Sequence, residues 1–146
     1  MATDTLVLLP DFAALGIEQP TIHSDDFSVR LIFDSKLPVV VAGRVAKLIA
    51  AVRFKRALAC YFGLPNDEAL SGHPLYERGL HPCRAYEVRA SSWISELSKR
   101  NSVHPSHTSD SFADLHHYLF TFKDALFECV AAGYELDIES ANEKQA

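Results

Sequence analysis

Four of the seven histidines of this 146-residue chain lie between residues 104 and 117. His104, His107, His116 and His117 are imidazoles of the kind that bind zinc, and Asp110 and Asp114 are at hand to complete a set. A catalytic zinc site needs about three protein ligands and one open position. The spacing works against such a site. His104 and His107 fall in a polar loop, and neighbouring His116 and His117 on a strand point to opposite faces. No helical His-Glu-x-x-His arrangement is present. The expectation is therefore no metal, with a metal-assisted hydrolase built on these four histidines as the alternative.

His73, His81 and His104 each precede a proline, which holds them in extended backbone. They can form a rigid rim, with Tyr76, Glu77, Arg78 and Arg84 supplying polar contacts. Cys83 lies beside Arg84, whose guanidinium would favour a thiolate, but no cysteine-hydrolase spacing surrounds it. Glu87, Glu96 and Glu128 could supply a pair of carboxylates for acid and base work; Glu87 and Glu128 are expected on strands, where they can face each other, or Glu128 can pair with Arg89. Glycine-rich phosphate loops, a Gly-x-Ser-x-Gly elbow and a Walker motif are absent, so the sequence implies no cofactor.

Several elements are needed to position these groups. Residues 1 to 24 read as an irregular lead-in, broken by Pro10, Gly16 and Pro20, residues that punctuate regular structure. Phe27 to Asp34 alternates as a strand. Val39 to Phe62 starts after Pro38 and stops at Gly63, which predicts a long helix carrying a basic stripe of Arg44, Lys47 and Lys55. Residues 64 to 82 form a long loop rich in proline and glycine, a length that points to function or to tight packing. A strand is expected over 85 to 90, then a short helix capped by Ser91 or Ser92 with Trp93, Ile94 and Leu97 inward. Residues 112 to 132 fit both a helical stripe and a hairpin. The aromatics favour a hairpin with strands 116 to 122 and 126 to 131, followed by a last strand from Tyr134 to Ile138 and a frayed tail, 141 to 146. The fold class expected is α+β, two-layer, with a mostly antiparallel sheet of four to five strands and one long and one short helix, in a single domain.

Apolar residues make up 48% of the chain and charged ones 23%, the balance of a globular domain. No acid occurs between Ser35 and Asn66, where Lys36, Arg44, Lys47, Arg53, Lys55 and Arg56 give +6, which leaves eight bases against 19 acids, or −11, for the remainder. That balance opposes nucleic-acid binding over the whole surface. Cys60, Cys83 and Cys129 match no zinc or redox spacing, and the start of the chain lacks the basic region of a signal peptide. A reduced, cytoplasmic chain without a membrane segment is expected.

The stretch His73-Pro74-Leu75-Tyr76-Glu77-Arg78-Gly79-Leu80, with Ala85-Tyr86-Glu87-Val88, Ser92-Trp93-Ile94, Val103-His104-Pro105, Phe120-Thr121-Phe122 and Phe127-Glu128-Cys129, resembles a family of small uncharacterised bacterial proteins. The resemblance covers roughly residues 73 to 134 and brings no settled activity with it. Histidine is frequent in that family where this chain has Lys123, a departure that weakens a metal set around 116 to 124. With no catalytic signature and two long polar loops, the expected function is that of a small cytoplasmic protein that binds and modulates another protein, as an immunity or antitoxin-like inhibitor does. The expected binding residues are His73, Tyr76, Glu77, Arg78, His81, Arg84, Arg44, Lys47 and Lys55.

Overall fold

A computed structural model describes residues 4–12, 18–26, 28–35 and 39–140. Among them, two antiparallel sheets stack face to face and one ten-residue α-helix lies outside, so the α+β class holds with sheet dominant. The first sheet contains β1 (Thr5–Leu8), β7 (Ala59–Gly63), β8 (Ala85–Arg89), β9 (His116–Thr121) and β10 (Leu126–Ala131), in the order β1-β8-β9-β10-β7. The second contains β2 (Glu18–Ser24), β3 (Ser28–Asp34), β6 (Leu48–Lys55) and β11 (Gly133–Ser140), in the order β11-β6-β3-β2. A small hairpin, β4 (Val39–Val41) with β5 (Arg44–Ala46), completes the strands.

The expected long helix over 39 to 62 is replaced by four strands, and the physical reason is visible in burial. Ala50, Val52 and Phe54 are fully buried, while Arg53 and Lys55 between and after them are exposed. That is the period of two of a strand. Ala42 and Gly43 both take positive φ, the backbone of a tight hairpin turn that sends β4 into β5 where a helix would have continued. The lead-in is likewise more regular than its prolines suggest. β1 pairs with β8 and β2 with β3, and Phe12 fits between the sheets against Phe33, Phe120 and Tyr134. The strand expected over 27 to 34 is present as β3, with Val29, Leu31 and Phe33 inward. The predicted tail, 141 to 146, lies outside the described residues.

The inter-sheet core is aromatic. Phe54 meets Tyr118, Phe120 and Phe127 with ring centroids 5.5 Å, 5.9 Å and 5.4 Å away. Such separations suit tilted and edge-to-face ring pairs. The chain crosses between sheets twice at one corner. Residues 56–58 carry β6 into β7, and Ala132 carries β10 into β11. Hydrogen bonds from Leu58 N–H to the Val130 carbonyl and from Ala132 N–H to the Lys55 carbonyl, both 2.8 Å, tie the two crossings together.

The outer face of the five-stranded sheet positions the site. Tyr86, Val88, Leu119 and Leu126 are apolar and buried there, covered by Leu70, Leu75 and Leu80 from the 64–82 loop. That loop is packed and structured, with 3-10 turns at Asp67–Gly72 and Tyr76–Arg78. Asn66 caps the first turn by accepting from Ala69 N–H, the usual service of a short polar side chain at that position. Asp67 N–H donates to the Lys123 carbonyl at 2.8 Å, anchoring the loop to the β9–β10 hairpin. Beside the loop lies α1 (Ser92–Asn101), capped by Ser91.

Candidate functional site

Between the 64–82 loop and α1 the outer sheet face is left uncovered, forming a cleft of about 520 Å³. Strand alternation decides which groups enter it. On β9, His117 shares the outer face with Leu119 and Thr121, while His116 turns away and meets Glu87 at 3.0 Å. On β10, Glu128 lies on that same outer face, between Leu126 and Val130, and cross-strand register sets it opposite Tyr61.

Glu128 accepts from two imidazoles. His117 Nε2 is 2.7 Å from Glu128 Oε1, and His73 Nε2 makes a looser contact of 3.5 Å with Oε2. The other ring nitrogens fix the directions of these bonds. Leu75 N–H donates to His73 Nδ1 at 3.0 Å. Nδ1 is therefore bare, and the proton resides on Nε2, facing the carboxylate. Ser91 Oγ already accepts from Ile94 N–H at 3.2 Å, which leaves its own proton for His117 Nδ1 at 2.7 Å. The hydroxyl, two imidazoles and one carboxylate satisfy one another throughout. Burial alone would raise the Glu128 carboxyl. The hydrogen bonds from His117 and His73 outweigh it and hold the group at about 2, as donors to the charged form do.

The walls are apolar and aromatic. Trp93 packs edge-on to the His117 ring with centroids 5.1 Å apart, and Tyr61 is pinned by donating to the Leu64 carbonyl at 2.7 Å. Leu64, Pro65 and Leu75 complete the apolar lining. Asp4, just before β1, brings a second carboxyl group and accepts from Ser92 N–H at 2.6 Å and from Ser92 Oγ–H at 2.9 Å. An acid at the start of α1 also suits the helix dipole. Arg78 in turn donates to the Asp4 carbonyl from outside the cleft. Among the described residues, two acids and no lysine or arginine line this space.

Ser91, His117 and Glu128 are chained in the order of a hydrolase triad but through the opposite ring nitrogens, with Ser91 Oγ on Nδ1 and Glu128 on Nε2, and the serine hydroxyl has no open path to the cleft. The Ser91 side chain is buried, it does not line the cleft, and its oxygen is occupied in capping α1. A nucleophile needs a free path to the substrate. The arrangement instead anchors a mostly buried carboxylate in a cleft with aromatic walls.

Of the nine expected binding residues, His73 is the one that reaches the cleft. Tyr76 and Glu77 are exposed on the outer turn of the loop. Arg78, His81 and Arg84 border a separate hollow with Leu8 and Tyr86, where backbone groups of His81 and Arg84 bond Tyr86 and Thr121. Arg44, Lys47 and Lys55 form no stripe, because the helix that would have aligned them does not exist. Arg44 belongs to the small hairpin, and Lys55 pairs with Glu135 at 2.7 Å alongside Arg53. The alternative metal set is not assembled either. His104 and His107 serve turns after α1, where His104 Nδ1 accepts from Ser106 N–H and His107 meets Asn101. His116 and His117 are on opposite faces, and among the described residues no three His, Cys, Asp or Glu side chains stand as a metal set. Among those residues, too, no helix is long and apolar enough to cross a membrane.

The sequence marks Glu128 as a strand carboxylate and Ser91 as a cap, but nothing in it links either to a histidine. Asp4, Tyr61 and Trp93 carried no functional signal. Comparison with family models, with curated proteins and with solved structures finds no match to this chain.

Proposed function

We propose that the chain acts by binding, and that its cleft seats an organic cation with an apolar stem: an alkylammonium or alkylguanidinium group. The observation that carries this reading is the lining, which among the described residues holds two carboxyl groups and two aromatic rings with no opposing lysine or arginine. A carboxylate held ionised by two imidazoles offers a fixed negative charge. An indole and a phenol beside it favour a cation further. The cleft is also of the size that small-ligand sites have, a few hundred Å³ on the order of the ligand itself.

The same chemistry is carried by lysine and arginine side chains, so the cleft also suits a partner protein that inserts one. A small cytoplasmic modulator of another protein, in the manner of an immunity or antitoxin-like inhibitor, would use it in that way. Calorimetric titration with n-butylguanidinium and with its uncharged analogue n-butylurea tests the reading. The wild-type chain is expected to bind the cation, E128Q to bind it at least about tenfold more weakly, and neither to favour the urea. Equal affinity for the two ligands, or an unchanged E128Q, would refute it.

A further inference from the structure

Cys60 and Cys129 are direct partners in the β7–β10 register. Phe122 N–H donates to the Ala125 carbonyl at the β9–β10 turn. In an antiparallel pair the bonded positions then alternate, so residues 125, 127, 129 and 131 direct their backbone groups toward β9. Residues 126, 128 and 130 therefore bond to β7, which makes Cys60–Cys129 a non-hydrogen-bonded pair. In such pairs the Cα atoms approach to about 4.5 Å and both side chains project from the same face. That separation is at the short end of the roughly 4.4–6.8 Å that disulfides span.

Access differs between the two thiols. β7 is the last strand of its sheet and Cys60 is exposed, whereas Cys129 is fully buried in the core. Burial pushes the Cys129 thiol up to about 12, and neighbouring Cys60 adds to the effect. Reaction must therefore begin at Cys60.

The geometry points to Cys60 and Cys129 as a reversible redox pair that closes a cross-strand disulfide. With oxidised glutathione as oxidant, the Cys60 thiol loses its proton and its sulfur attacks one glutathione sulfur, forming a Cys60–glutathione bond and releasing one glutathione, which takes up a proton in turn. The Cys129 sulfur then attacks the Cys60 sulfur, passes its proton to the departing glutathione and completes the link. Two protein thiols are oxidised, and one glutathione disulfide is reduced to two thiols. Adjacent Tyr61 and Glu128 point to the opposite face, so the link forms outside the cleft.

The test is to treat the folded full chain with oxidised glutathione and map the products by peptide mass spectrometry. The expected result is an intramolecular link between the peptides carrying residues 60 and 129, reversed by dithiothreitol and retained in C83S. The surface variant C60S, whose fold is checked by circular dichroism, should form no intramolecular link. A chain that stops at a mixed disulfide on Cys60, links through Cys83, or closes only in denaturant would overturn the proposal.

Discussion

A carboxyl group that accepts hydrogen bonds from two imidazoles differs from one in water, and Glu128 carries that difference into stability. Its value in the fold is about 2, against an ordinary 4.5. Because the folded value is depressed, the contribution is fully present above the ordinary value and is lost as pH falls from there towards the folded one. At about 1.4 kcal/mol for each pH unit, the interval corresponds to about 3 kcal/mol. Urea denaturation of wild type and E128Q, compared from about pH 7 down to about pH 2, should show the wild type more stable at the upper end and the gap closing at the lower. A gap that stays constant with pH would mean that the carboxylate's charge plays no part. The sequence exposed the ingredients at this scale but not their pairing. His73 and Glu128 are 55 positions apart, and the tautomer of each imidazole depends on Leu75 N–H and Ser91 Oγ, groups that periodicity does not single out.

At the scale of elements, α1 is tied to the sheet by its first turn. Ser91 caps it and also holds His117, while Asp4 reaches across from the start of β1 to bond Ser92. S91A removes the cap and leaves the buried His117 Nδ1 without a partner, so a loss of about 2 kcal/mol is expected, with the Trp93 end of the cleft loosened first. Hydrogen exchange at Ile94 and Ser95 should accelerate relative to core strand amides. Unchanged protection there would place the helix anchor elsewhere. The short helix, the hairpin and β8 were legible because each is local, with a cap, a turn or an alternation contained within a few residues. The 39–62 region was not. Leu48 to Val52 is an unbroken apolar run, and what makes it a strand is pairing with β11, as in the contact of Arg53 with Glu135, 82 positions along the chain.

In the whole molecule, two sheets share an aromatic core, and the outer face of one is only partly covered by a loop and a helix. The α+β class followed from composition and pattern, but sheet-on-sheet stacking depends on long-range pairing that no single window contains. The cleft is what remains between those two covers, and it needs β1, β7, β9, β10, the loop and α1 in place together. The only tryptophan in the chain, Trp93, stands in its wall and reports on its contents. The most direct measurement is therefore a fluorescence titration of the folded chain with n-butylguanidinium. A saturable change in Trp93 emission with the cation is expected, weaker with n-butylurea and displaced to at least about tenfold higher concentration in E128Q. A response of the same size to the urea, or none to the cation, would contradict cation binding in the cleft.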